Sequence, residues 1–207
     1  MILENVRVGE LDVNCYILAD HVGAKAIIID PGADEEKIRA VLAKHQLNPG
    51  LVINTHGHYD HIGCDDKFGV KIYAHRQEVA ILKSAGLNFS SFLSGISFSV
   101  KSDVQAVDDK ETINFEGLEL EVIHVPGHSP GAVALLLKKP KKNILFSGDS
   151  LFCQSIGRTD FAGASHELLV KSIKERLFVL PEDTVVYPGH GPATTIGEEK
   201  SSNPFLN

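Results

Sequence analysis

Apolar positions along the first third of the chain fall into short blocks. Ile2–Val8, Val13–Ala19 and Lys25–Ile29 are rich in Val and Ile and are separated by Gly, Asp and His, which predicts three short strands. Asp30-Pro31-Gly32 reads as a turn. Over Asp34–Gln46 the spacing changes. Ile38, Val41, Leu42 and Leu47 recur at helical intervals, which predicts an amphipathic helix. Leu51–Asn54 reads as a short buried strand, and helices are expected after Asp60 and over Arg76–Ser84. The stretch 85–103 is rich in Ser, Gly and Phe and is read as an irregular packed segment, with a mobile loop as the alternative. Strands return at Thr112–Phe115, Leu118–Val125, Ala132–Leu137 and Ile144–Phe146, with Glu116-Gly117 suited to a hairpin turn. A helix over His166–Phe178 would turn Leu168, Leu169, Ile173 and Leu177 inward, and Thr184–Tyr187 is the last strand expected. Strands in both halves with helices between them indicate an α/β architecture, with helices outside a two-sheet core.

Composition narrows the classes. At 207 residues, 43% of them apolar, the chain suits one domain with a sizeable core, and no interior linker argues for two. A net charge of −7 argues against a nucleic-acid partner. The run Lys138-Lys139-Pro140-Lys141-Lys142 reads as a solvated turn between strands rather than a phosphate patch. Cys15, Cys64 and Cys153 are odd in number and far apart, so reduced thiols in a cytoplasmic protein are expected. The N-terminus lacks a basic start followed by an apolar stretch, and no apolar run approaches the ~20 residues of a membrane span. A small-molecule substrate is expected, and no membrane.

Four apolar runs end alike. Leu51–Thr55 leads into His56-Gly57-His58, Val122–Val125 into Pro126-Gly127-His128, Ile144–Ser147 into Gly148-Asp149, and Val185–Tyr187 into Pro188-Gly189-His190. Each strand delivers a metal-type side chain at its C-terminal end beside a glycine, where sites in α/β sheets commonly lie. In His56-Gly57-His58-Tyr59-Asp60-His61, four such side chains fall within six residues. Imidazole and carboxylate suit zinc, iron or manganese. A catalytic zinc commonly takes three protein ligands, so seven suit two ions with one carboxylate shared. Without a cation, that cluster after a buried strand would carry a desolvation cost. His21, His45, His75, His124 and His166 are read as structural or solvent-exposed.

Thr55-His56-Gly57-His58-Tyr59-Asp60-His61 resembles the T-H-x-H-x-D-H signature of the metallo-beta-lactamase superfamily, and His128, Asp149 and His190 follow in that family's order. The resemblance runs from Val13 to the C-terminus. It implies an αβ/βα four-layer sandwich, with two mixed sheets and helices on the outer faces. It also implies two divalent ions, zinc by preference, with iron or manganese compatible. One would sit on His56, His58 and His128 and the other on Asp60, His61 and His190, with Asp149 bridging. Zinc beta-lactamases that hydrolyse drugs typically carry Cys at the position of Asp149, and flavin-diiron members carry Glu at that of His58. The segments 126–131, 155–161 and 194–205 are similar to those of short glyoxalase II-like proteins, without the C-terminal helical extension of full-length glyoxalase II. Gly157-Arg158-Thr159-Asp160-Phe161 also resembles persulfide dioxygenases, in which positions matching His56, His128 and Asp149 hold a single iron.

The activity implied is hydrolysis of a thioester or related ester by a metal-bridging hydroxide, a hydroxyacylglutathione-type thioester among the candidates. Asp60 would ligate while orienting or accepting from the nucleophile. A thiol of pKa ~8.5 departs as thiolate without a general acid, and no dedicated acid stands out in the sequence. Arg158 has two readings, a fork for a substrate carboxylate or a salt bridge to Asp160 or Glu167. Asp30, Asn54, Thr55 and Ser147 are candidates for orienting the imidazoles. The alternatives are an iron persulfide dioxygenase, a lactonase, and a non-enzymatic protein whose metals only stabilise the fold.

Overall fold

The computed structural model describes residues 1–139 and 142–206. Pro140 and Lys141, and with them the middle of the expected lysine turn, lie outside the described residues. The chain forms two compact units. One comprises Met1–Val107 and Asn114–Leu118, the other Asp108–Ile113 and Glu119–Asn207.

The first unit is built on a six-stranded mixed sheet. Its strands are β1 (Ile2–Val8), β2 (Val13–Ala19), β3 (Lys25–Ile29), β4 (Asn48–Ile53), β5 (Lys71–His75) and β6 (Val104–Val107), in that spatial order. β1, β2 and β3 run antiparallel, and β3 to β6 run parallel. All seven residues of β2 are buried, as strands covered on both faces require. Cys15, Ile17, Ile28 and Val52 join one core cluster with Ile38 and Leu42 of α1 (Glu35–Lys44), while Leu18, Ile27, Ile29 and Ile53 are buried on the opposite face. Burying a residue such as Ile38 or Leu42 contributes about 1.5–3 kcal/mol. An Arg39–Glu35 pair at 2.6 Å supports the solvent side of α1, and Glu35, Glu36 and Lys44 complement its dipole.

Two further helices are single turns: α2 (Tyr59–Ile62) and α3 (Val79–Leu82). The helix expected over Arg76–Ser84 shrinks to α3 because residues 76–78 form a turn. The stretch 85–103 is irregular around a π turn at Ser90–Ser94, with Asn88, Ser90 and Val100 buried and Phe92 and Ile96 exposed.

A second six-stranded sheet, most of whose residues belong to the second unit, has the order β14-β13-β10-β9-β8-β7. The strands are β7 (Thr112–Phe115), β8 (Leu118–His124), β9 (Val133–Leu137), β10 (Ile144–Gly148), β13 (Val185–Pro188) and β14 (Thr194–Thr195). β11 (Leu151–Phe152) and β12 (Ser155–Ile156) form a separate hairpin. Within this sheet β10 and β13 run parallel. α4 (His166–Ser172) continues as a π turn over Ile173–Leu177, and α5 (Ile196–Ser202) follows β14. Leu169, Ile173, Leu177 and Ile196 share a core cluster with Ile123, Leu136, Leu145 and Val186. Leu168 is exposed, contrary to expectation. The stripe at i, i+4 and i+8 runs through Leu169, and its neighbour lies about 100° round the helix. Ser165 and Thr195 cap α4 and α5 by accepting from the amides of Leu168 and Glu198. The two large mixed sheets meet the α/β expectation. Among the described residues, no helix is long and apolar enough to cross a membrane.

Candidate metal centre

In the first unit, β3 and β4 run parallel and end level, with Ile29 opposite Ile53. Beyond those ends stand Asp30 on one strand and Asn54, Thr55 and His56 on the other. The Asp30 amide donates to the Ile53 carbonyl at 3.1 Å. Three imidazoles from this loop and α2 pack together. The His56 ring centroid lies 4.5 Å from that of His58 and 4.2 Å from that of His61. All three are buried, and the Asp60 Oδ2 atom lies 3.6 Å from His61 Nε2.

Asp30 organises this group. Its Oδ1 accepts from the Thr55 amide and its Oδ2 from the Thr55 hydroxyl, both at 2.7 Å. Because the hydroxyl proton goes to Asp30, the Thr55 oxygen accepts from His56 Nδ1 at 3.2 Å, which leaves His56 Nε2 for a ligand. Asp30 Oδ2 also lies 3.1 Å from His61 Nδ1, which turns His61 Nε2 toward Asp60. Gly32 makes the close approach feasible. A Cβ there would sit 1.5 Å from the Asp60 carbonyl oxygen.

In the second unit a parallel pair again delivers metal-type side chains, and β8 leads into a third, His128. Gly148 of β10 lies opposite Pro188 of β13, and the Gly189 amide donates to the Gly148 carbonyl at 2.8 Å. Asp149 and His190 follow these strands. Asp149 Oδ2 lies 3.5 Å from His190 Nε2 and 3.7 Å from His128 Nε2. His128 Nδ1 donates to the Arg158 carbonyl at 2.8 Å, so its Nε2 is the nitrogen left for a ligand. A Cβ at Gly157 would sit 1.8 Å from the Asp149 carbonyl oxygen and 3.2 Å from His128 Nδ1.

Each unit thus brings its own sequence-predicted residues together: His56, His58, Asp60 and His61 in one, His128, Asp149 and His190 in the other. The donor set fits divalent zinc, iron or manganese, and His56, His61 and His128 each set Nδ1 beside an oxygen partner, an arrangement that orients Nε2 for ligation. The metallo-beta-lactamase superfamily profile matches residues 8–190. The chain belongs to the metallo-beta-lactamase superfamily. A probable metallo-hydrolase of Bacillus subtilis, YqgX, is 38% identical over 97% of this chain and 95% of its own length. The hydroxyacylglutathione hydrolase GloC of Haemophilus influenzae is 34% identical over 100% and 99%. Among solved structures, the BLEG-1 B3 metallo-beta-lactamase superposes with a TM-score of 0.91 at 40% identity, covering 99% of each chain.

Superfamily membership makes this a hydrolase-like enzyme and frames what the remaining residues do. Two of the four residues expected to orient imidazoles touch a ring directly, Asp30 and Thr55. Asn54 reaches the main chain instead, donating to the His61 carbonyl at 3.4 Å, and the Ser147 hydroxyl donates to the Leu151 carbonyl. Arg158 makes the second of its two expected contacts, a bidentate pair with Asp160 at 2.7 Å on each arm, with the guanidinium 4.0 Å from the Phe161 ring centroid. This pair holds the Asp160 carboxyl down at about 2. Burial, then the charges of Glu199 and Glu198, push the Cys153 thiol up, in keeping with a packing role.

Sequence reasoning missed two buried carboxylates behind the histidine loop. Glu78 accepts from the Gly57 amide at 2.7 Å, and Asp65 accepts from Asn54 at 3.1 Å. Burial pushes the Asp65 carboxyl well above its usual range. Neither residue stands in a motif, so no local signal marks it.

Proposed function

We propose that the chain is a dinuclear metal-dependent hydrolase that cleaves a thioester or related ester, a hydroxyacylglutathione-type thioester among the candidates. The observation that carries this reading is the position of the Asp149 carboxylate, with one oxygen facing imidazole nitrogens of two different loops. A shared carboxylate is what two closely spaced ions require. On this reading His56, His58 and His128 hold one ion and Asp60, His61 and His190 the other, with zinc the first choice.

Bound there, such ions acidify water and polarise a carbonyl. The chain's own residues supply the rest. Asp30 and Thr55 set the rings of His61 and His56, and the Arg158 carbonyl sets that of His128. Asp60 Oδ2 accepts a proton from the attacking water and keeps it aimed. A thioester needs no acid for its thiolate, so the site needs no further proton donor. Arg158 is a candidate for a substrate carboxylate, released from Asp160 when substrate enters. The name of GloC supports a hydroxyacylglutathione thioester, and the likeness to BLEG-1 puts a lactam among the substrates to test.

The test is metal analysis of protein purified without added metal, followed by a panel of thioester, lactone, activated ester and beta-lactam. Two ions per chain and fastest turnover of a thioester are expected. One iron per chain, with oxygen consumed on glutathione persulfide, would replace the reading with a dioxygenase. Fully metallated protein that cleaves nothing on the panel would replace it with a binding protein.

A further inference from the structure

Glu78 is a buried acid for which the proposed chemistry has no use. It is 0% exposed, and a Glu is rarely buried so fully without a partner. β4 and β5 run parallel, with Ile53 opposite Tyr73, so the chain beyond β5 emerges beside the histidine loop. The Glu78 amide donates to the His75 carbonyl at 2.8 Å, and the Leu82 amide donates to the Glu78 carbonyl at 2.9 Å. This turn into α3 carries the Glu78 side chain to the loop, where its Oε2 accepts from the Gly57 amide at 2.7 Å.

Gly57 separates His56 from His58. His56 is held at the strand end, where its Nδ1 meets the Thr55 hydroxyl at 3.2 Å. His58 stands two residues further out, so its aim depends on the main chain to either side. Glu78 holds the peptide on one side. On the other, the Tyr59 amide donates to the Asn88 carbonyl at 2.9 Å, and the His58 ring lies 5.1 Å from the Phe89 ring centroid. The loop packs tightly on α3. A Cβ at Gly57 would sit 2.8 Å from Leu82 Cδ1, 2.9 Å from Ile81 Cγ2 and 3.0 Å from Glu78 Oε2. Without its acceptor, a backbone amide buried against Leu82 and Ile81 is costly. The peptide would turn to find another partner, and His58 would turn with it.

We infer that Glu78 is a positioning residue that fixes the Gly57 peptide and through it aims His58 at its ion, a role that rests on the dinuclear reading above. Acting through His58 has a consequence that general packing or a distant charge lacks. The effect of removing Glu78 vanishes once the His58 imidazole is gone.

The experiment measures zinc dissociation constants of the full chain by competition with chelators, together with hydrogen exchange at the Gly57 amide in metal-free protein. Glu78→Leu keeps the bulk but offers no acceptor. It should weaken one of the two ions about 10–100-fold, leave the other within roughly threefold, and speed exchange at Gly57 on the order of tenfold. Glu78→Gln keeps an acceptor oxygen and should lose less than about tenfold. In a His58→Ala background, Glu78→Leu should change affinity by no more than about twofold. Leu42→Ala opens a cavity in the core cluster that also holds Leu82, so it should lower Tm while leaving both dissociation constants in place. Glu78→Leu protein that binds both ions as wild type does, or that loses as much affinity with His58→Ala as without it, overturns the inference and leaves the dinuclear reading standing. Wild-type protein that binds a single ion, weakened by Glu78→Leu only while His58 is present, overturns the dinuclear reading and upholds the positioning role.

Discussion

Asp30→Asn tests the idea that one buried carboxylate sets the tautomers of two imidazoles. Asn is the substitution of choice because Asp30 has φ 52°, a left-handed conformation that Asn tolerates and Ala does not favour. The native carboxylate offers only acceptors: to the Thr55 amide, to the Thr55 hydroxyl, and toward His61 Nδ1. An Asn that keeps the Thr55 amide bond must turn its NH2 toward the other two. The Thr55 hydroxyl then accepts from Asn and gives its own proton to His56 Nδ1, which moves the ring proton to Nε2. His61 meets a donor at Nδ1 and responds alike. Both rings lose the nitrogen meant for a ligand. Losing such an orienting partner typically costs 10–100-fold in metal affinity, about 1.4–2.8 kcal/mol. The assay is competition for zinc against a chromogenic chelator, with metal content after dialysis. The metal-free variant should stay folded with a loss of about 1–3 kcal/mol, a fall of roughly 2–12 °C in Tm. An Asp30→Asn protein that holds zinc within twofold of wild type would refute the argument.

Other changes separate the parts of the site. Asp149→Ala should lose metal at both positions, and loss of only one equivalent by elemental analysis would contradict the shared carboxylate. Gly157→Ala drives a Cβ into the Asp149 carbonyl at 1.8 Å, so metal content and Tm should fall together; unchanged metal binding would show that the loop yields. Arg158→Ala should keep its metal and raise KM for a glutathione thioester, and an unchanged KM would remove Arg158 from substrate binding. Asp66 accepts from the Lys101 and Ser102 amides at 2.8 Å each. Burial works against its charge, but these bonds outweigh it and hold the carboxyl below its usual value. A depressed folded pKa means stability that is full above the unfolded value of ~3.9 and lost as pH falls through the folded one. Asp66 is exposed, so solvent screens these bonds; Asp66→Ala should cost about 0.5–1 kcal/mol at pH 7, and the gap in denaturant midpoint should close as pH drops below about 4. A gap that persists at pH 2 would refute the linkage.

Much of this protein was readable before any coordinates. Strands β1, β2 and β3 declare themselves through Val and Ile blocks, and α1 through its 3.6-residue period, because local pattern and final burial agree there. The metal-type residues were readable for a different reason. Four of them crowd into six positions, and the others follow apolar runs that end in glycine. Tertiary structure decided the rest. β6 and the two-residue strands are too short to show a period, and β5, though as long as β3, lacks its Ile block; they exist because a neighbouring strand pairs with them. Leu168 faces solvent because only the packing of α4 settles which side of an apolar doublet points inward. The roles of Asp30, Thr55, Glu78 and Asp65 depend on polar contacts between residues up to 31 positions apart, and a sequence records identity but not proximity. Arg158 was left between two readings for the same reason, since choosing a partner is a matter of distance in the fold.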